Sequence, residues 1–79
     1  MSNLEKYKRA FIESLEVTED VLDNLSYQDI PSWDSVGHMT LVAALEEVFD
    51  IMFSTEDIID LNSYKKGMEI LSASYSVKF

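Results

Sequence analysis

The stretch Trp33-Asp34-Ser35-Val36-Gly37-His38-Met39-Thr40-Leu41-Val42-Ala43-Ala44-Leu45-Glu46-Glu47-Val48-Phe49-Asp50 decides how the chain is read. It is the most regular amphipathic run in the sequence. Asp34 is a good N-cap, because its carboxylate can accept N–H bonds from the first turn and suits the positive end of the helix dipole. A helix is therefore expected from Asp34 or Ser35 to near Asp50. At about 100° per residue, Leu41, Leu45, Val48 and Phe49 gather on one face, with Val42 and Ala44 at its margins. That face is assigned to the core. Ser35, Val36, Met39, Thr40, Ala43, Glu46 and Glu47 lie on the other side, so three apolar residues flank Ser35 on the expected outer surface. An apolar patch rimmed by acids suits docking, with hydrophobic contact for affinity and charge for orientation. The competing reading packs Val36 and Met39 under the preceding loop.

Outward from this helix, Leu4, Tyr7, Phe11 and Leu15 recur at three- and four-residue spacing and predict a first helix from about Asn3 to Leu15. The segment 17–32 is long for a connection in a small domain. Val17, Val21, Leu22, Leu25, Tyr27 and Ile30 are expected to tuck it onto the core, with a short turn near Asp20 to Asn24. Pro31 biases Ile30 away from helix. Ser54-Thr55-Glu56-Asp57 reads as a cap and acidic first turn opening a short helix through Ile58, Ile59 and Asp60. Asn62-Ser63 can cap a last helix with the stripe Tyr64, Met68, Leu71 and Tyr75. Gly67 weakens it modestly, and the tail from Ser76 is expected to fray. The fold class is all-α: a small four-helix bundle of three main helices and one short one, forming a single domain over residues 1–79.

Composition narrows the function classes. A core built from 79 residues leaves little room for an enclosed active site. There is no cysteine, which removes disulfides and thiolate metal sites. The opening residues mix charges and do not read as a secretory signal. No segment approaches the roughly 20 apolar residues that span a bilayer, so a soluble, cytoplasmic monomer is expected. Net charge is −9, and all six basic residues lie near the ends: Lys6, Lys8, Arg9, Lys65, Lys66 and Lys78. Thirteen of the fifteen acids fall between Ala10 and Tyr64, where there is no Lys or Arg. Such a field repels nucleic acid and anionic membrane and steers basic partners inward. A surface tuned only for solubility would look similar; the gathering of acids around Ser35 favours partner recognition.

Several residues do not support catalysis. His38, the only histidine, falls nearer the inward face and reads as a packed or hydrogen-bonded helix residue. No serine–histidine–aspartate arrangement accompanies it. Glu46 and Glu47 point about 100° apart and do not converge on a metal. Asp20, Asp23 and Asp29 lack the glycine and terminal glutamate of a calcium-binding loop. Trp33 reads as a loop anchor over the core. Tyr64 and Tyr75 read as core residues whose hydroxyls reach water.

Taken whole, the chain resembles the acyl carrier protein family. The order matches from end to end: helix, long loop, Asp34-Ser35, acidic helix, short acidic helix, closing helix. The segment from Leu41 to Asp50 is very similar to that family's second helix. The resemblance implies that a phosphopantetheinyl transferase attaches 4′-phosphopantetheine from coenzyme A to Ser35, and that acyl or aminoacyl groups are then held as thioesters on the arm's thiol. It implies that Asp34 helps the transferase engage. Glu46, Glu47, Glu56, Asp57 and Asp60 would pair with basic docking surfaces on a loading ligase and on a downstream acyltransferase or synthase. It also implies that the chain is not itself an enzyme. The chain departs from carriers of fatty acid synthesis in having Val36 after the serine, no acid in Gly37-His38-Met39-Thr40, and Pro31-Ser32-Trp33 in place of a glycine-containing lead-in. Those departures resemble specialised free-standing carriers of polysaccharide-modification or secondary-metabolite pathways. The alternatives are a free-standing peptidyl carrier and an acidic helical adaptor without a prosthetic group.

Overall fold

A computed structural model describes residues 1–79. Four α-helices form: α1 (Asn3–Leu15), α2 (Ser35–Phe49), α3 (Thr55–Asp60) and α4 (Tyr64–Ser74). The long connection between α1 and α2 carries a 3-10 helix, Glu19–Asn24, where a short turn is expected from the sequence. Each helix start is set by a side chain that accepts an orphan backbone N–H. Ser2 takes the Glu5 amide, Asp34 the Gly37 amide, Ser54 the Asp57 amide and Ser63 the Lys66 amide. The helices α1 and α2 end on Glu16 and Asp50, both left-handed, with φ of 55° and 53°.

The core is one aromatic and aliphatic cluster. Phe11 sits at its centre, with ring centroids 4.9 Å from Tyr7, 5.1 Å from Tyr64 and 5.6 Å from Trp33. Leu15, Leu22, Leu41, Leu45, Leu61 and Leu71 close around these rings, all essentially without solvent contact. Trp33 is fully buried, as a loop anchor should be. The loop is tied down further by polar bonds: the Ser32 hydroxyl donates to the Leu15 carbonyl at 2.7 Å. The Tyr27 and Tyr64 amides donate to the Asn62 and Leu25 carbonyls across an isolated antiparallel bridge between Ser26 and Ser63. Both glycines sit where backbone or ring comes too close for a side chain. A Cβ at Gly67 would meet the Tyr7 hydroxyl, so the tight α1–α4 approach, rather than flexibility, requires glycine there.

Some side chains do not follow the simple helical phase. Val48, assigned to the core face of α2, is 40 % exposed, and Phe49 is only half-buried. Val42, assigned to the margin, is buried instead. The cause is the placement of neighbours: Val48 opens onto a groove it shares with Lys6, Arg9 and Ala10 of α1 instead of being covered by that helix. Val21 is likewise exposed, because its short 3-10 helix turns only Leu22 into the core. The tail does not fray as expected. Val77 is buried and its amide donates to the Leu71 carbonyl, Phe79 packs edge-on against Tyr7, and the Asn3 side-chain amide donates to the Lys78 carbonyl.

The tyrosines also differ from the water-reaching reading. The Tyr75 hydroxyl donates to Asp57 at 2.7 Å and accepts the Ser54 amide at 2.9 Å. The Tyr7 hydroxyl donates to the Tyr64 carbonyl at 2.6 Å. Burial, together with the neighbouring Tyr64, pushes the Tyr7 phenol far above its ordinary range. The Tyr64 hydroxyl is buried without any hydrogen-bond partner, and burial, with the charges of Asp23 and Glu19, raises its phenol too. A buried polar group without a partner costs about 1–3 kcal/mol of desolvation. Tyr64→Phe is therefore expected to leave thermal stability unchanged or raise it by up to ~1 kcal/mol, whereas Tyr7→Phe should lower it by about 1 kcal/mol. Paired denaturant melts measure the difference, and a Tyr64→Phe protein weaker than Tyr7→Phe would contradict the assignment.

Candidate functional site

Ser35 is the first residue of α2, and the site around it is built from the loop before it and the turn after it. Asp34 has extended backbone and its Oδ1 accepts the Gly37 amide at 2.8 Å. The His38 amide bonds the Asp34 carbonyl at 2.8 Å, closing the first helical turn. Ser35 itself caps nothing. Its hydroxyl is exposed and makes no hydrogen bond, and the Ser35 and Val36 amides also have no partner. A helix start with two free N–H donors beside a free hydroxyl fits an anionic phosphoester chemically, since both the donors and the helix dipole favour negative charge.

Gly37 lets the loop close onto this turn. A Cβ there would run into the Ser32 carbonyl oxygen, so any larger residue must push the Ser32-Trp33-Asp34 segment away from α2. Trp33, one residue before Asp34, is held from below by Phe11 and from the side by His38. The indole N–H donates to His38 Nδ1 at 3.0 Å, and His38 Nε2 bonds the Ile58 carbonyl of α3 at 2.7 Å. His38 is therefore a hydrogen-bonded helix residue, as its phase suggested.

The outer face of α2 keeps Val36 and Met39 open, at 73 % and 51 % exposed, which rules out their packing under the loop. Thr40 and Ala43 are exposed on the same face, with the Thr40 hydroxyl donating to the Val36 carbonyl at 3.1 Å. The acids divide into two groups. Glu46 accepts the Phe53 amide at 2.9 Å and Asp57 accepts from Tyr75, so both carboxylates help position the segment from Phe53 into α3. Glu47, Glu56 and Asp60 are exposed and form no ion pair. Glu56 and Asp60 stand on α3, while Glu47 borders the groove beside Lys6, Arg9 and Glu13 of α1. Two further large apolar residues, which no periodicity in the sequence marks as functional, are also exposed: Met52 at 83 % and Ile59 at 72 %. Ile59 lines a cleft of about 240 Å3 with Tyr27, His38, Ile58, Leu61 and Asn62. The signal for Ile59 was its adjacency to Ile58 on a six-residue helix, where both cannot face inward.

No group of three or more potential metal ligands converges anywhere in the chain, and no helix is long and apolar enough to cross a membrane.

No family model matches the chain, and no solved structure does. Curated relatives do match over nearly their full length, among them two acyl carrier proteins. The acyl carrier protein of Buchnera aphidicola subsp. Schizaphis graminum is 36 % identical over 74 residues, covering 91 % of this chain and 94 % of that protein. The acyl carrier protein of Buchnera aphidicola subsp. Acyrthosiphon pisum is 30 % identical over 73 residues, covering 90 % of this chain and 91 % of that protein. Similarity of that extent, on an all-α bundle with an Asp-capped helix opening at an exposed serine, makes this chain a member of the acyl carrier protein family, a carrier rather than an enzyme.

Proposed function

We propose that Ser35 is the point at which 4′-phosphopantetheine is joined to this carrier, through a phosphodiester formed from coenzyme A by a phosphopantetheinyl transferase. The observation that carries this reading is the exposed, unengaged Ser35 hydroxyl at the start of α2, directly after the Asp34 cap. When bound, the arm supplies the thiol that a cysteine-free chain lacks, and with it a thioester link to acyl or aminoacyl cargo. The residues of the chain supply the rest. The free Ser35 and Val36 amides stabilise the phosphate charge, Asp34 holds the turn, and Val36, Met39, Thr40 and Ala43 form the surface nearest the arm. Glu47, Glu56 and Asp60 face solvent and are the acids free to meet Arg and Lys of successive partners. Each such exposed pair contributes about 0–1 kcal/mol, and weak docking suits a shuttle that must leave one enzyme to reach another.

The partners are a transferase, a loading ligase and a downstream acyltransferase or synthase with basic docking surfaces, met in the cytoplasm by a monomeric carrier. The absence of acids from Val36 to Thr40 supports a specialised pathway, of polysaccharide or secondary-metabolite type, over housekeeping fatty acid synthesis. Incubating the protein with coenzyme A and a transferase is expected to add roughly 340 Da, the mass of the arm, to its intact mass. An unchanged mass after trials with several transferases would instead support an acidic adaptor. The adaptor reading predicts that function survives loss of the Ser35 hydroxyl and fails when Glu47, Glu56 and Asp60 are replaced together by their amides. A peptidyl carrier is distinguished by the adenylating enzyme that loads it.

A further inference from the structure

We propose that His38 is a positioning residue that fixes α3 relative to the attachment turn, and so sets the spacing between Ser35 and the α3 acids that a partner enzyme meets. The inference rests on the reading of Ser35 as the attachment point.

The hydrogen bonds around His38 define its state. The Trp33 indole nitrogen has only a proton to give, so His38 Nδ1 must present a lone pair to it at 3.0 Å. The Ile58 carbonyl can only accept, so His38 Nε2 carries the proton that it donates at 2.7 Å. The neutral Nε2–H form is the one tautomer that satisfies both partners at once. Its ring lies nearly parallel to the Trp33 ring, with an interplanar angle of 17°, and edge-on to Tyr27. None of the residues lining the adjacent cleft with His38 carries a formal charge; Tyr27 is the only other titratable group among them.

The need for this contact comes from α3. With six residues it forms few internal bonds, and none of its side chains is fully buried. The Ile58 amide bonds the Ser54 carbonyl and the Leu61 amide the Asp57 carbonyl, but no backbone N–H reaches the carbonyl of Ile58. His38 supplies that missing donor from a different helix, acting as a C-terminal cap for α3. At the other end, the Tyr75 hydroxyl of the α4 terminus bonds Asp57 and the Ser54 amide. The short helix is thus pinned at both ends by side chains from elsewhere. The pin at its C-terminal end leads through a single ring to Trp33, two residues before Ser35.

Two substitutions separate the two bonds. His38→Asn retains an acceptor near the Nδ1 position and loses the reach to Ile58; His38→Gln retains a donor near the Nε2 position and loses the acceptor for Trp33. In the full-length protein, His38→Asn is expected to speed amide exchange of Ile58 and Leu61 about fivefold, the loss of one hydrogen bond, while α1 amides keep their protection. With a phosphopantetheinyl transferase and coenzyme A, the same variant should show a KM for the carrier raised about fivefold and kcat within about twofold of the unsubstituted protein. His38→Gln should restore both values while shifting Trp33 fluorescence. Wild-type exchange and KM in His38→Asn would overturn the proposal, as would faster exchange spread evenly through α1, which marks general destabilisation. Failure of the unsubstituted protein to accept the arm would remove the Ser35 reading alone. The exchange and fluorescence measurements would still decide whether His38 holds α3.

Discussion

Ser35→Ala is expected to abolish the mass gain from coenzyme A completely while leaving the fold intact. Few substitutions separate chemistry from stability so cleanly, and the reason lies in which residue caps α2. The carboxylate of Asp34, one position earlier, holds the Gly37 amide, whereas the Ser35 hydroxyl bonds nothing and faces solvent. Alanine at the first helical position removes no internal contact and is a better helix former than serine. Thermal stability should therefore stay within about 0.5 kcal/mol of the unsubstituted protein, as for other exposed positions free of special contacts. Intact-mass spectrometry after exposure to a transferase reads the chemistry, and a circular dichroism melt on the same sample reads the fold. A mass gain that persists in Ser35→Ala would place the attachment on another hydroxyl. A melt lowered by several degrees would show that Ser35 has a structural role that its exposure argues against.

Phe11→Ala is expected to produce the largest stability loss of any single core substitution considered for this chain. Phe11 is without solvent contact and touches three aromatic rings from α1, the α1–α2 loop and α4. Removing a buried phenyl typically costs 3–5 kcal/mol, the sum of lost transfer energy and of the cavity left behind, so roughly that much is expected here. Domains of this size have about 4–12 kcal/mol in total, scaling from the usual per-residue range. At about 4–8 °C per kcal/mol, the melting temperature should fall by well over 10 °C. The loss should also reach the site, because Trp33 rests on Phe11 and stands two residues before Ser35. Calorimetry or a circular dichroism melt measures the shift; a change below about 1 kcal/mol would mean that the surrounding rings collapse into the space far better than their tilted and edge-on geometry suggests.

Most of the architecture was legible because helical period and caps are local signals. The stripe Leu4, Tyr7, Phe11 and Leu15 located α1 at Asn3–Leu15, and the Asp34 cap located the start of α2. Serines before α3 and α4 did the same for those helices. The errors came where neighbours, not phase, decide exposure. Val48 follows the α2 core stripe, yet α1 leaves it open to a groove. Val77 carries no periodic signal, yet it is buried because the end of α4 returns toward Leu71. Glu46 and Asp57 read as surface acids, and only the structure revealed the amide and the phenol that engage them.

The sequence alone determined the helices, their caps, the acidic field and the Asp34-Ser35 step, because each is written in residues within a few positions of one another. The tertiary structure decided what that step is attached to. Trp33, His38 and Ile58 belong to a loop and two helices, and their hydrogen bonds depend on ring orientation and on an orphan carbonyl that exists only once α3 has formed. Spacing along a chain fixes which face a residue occupies; which lone pair meets which proton across elements depends on how those faces are packed together.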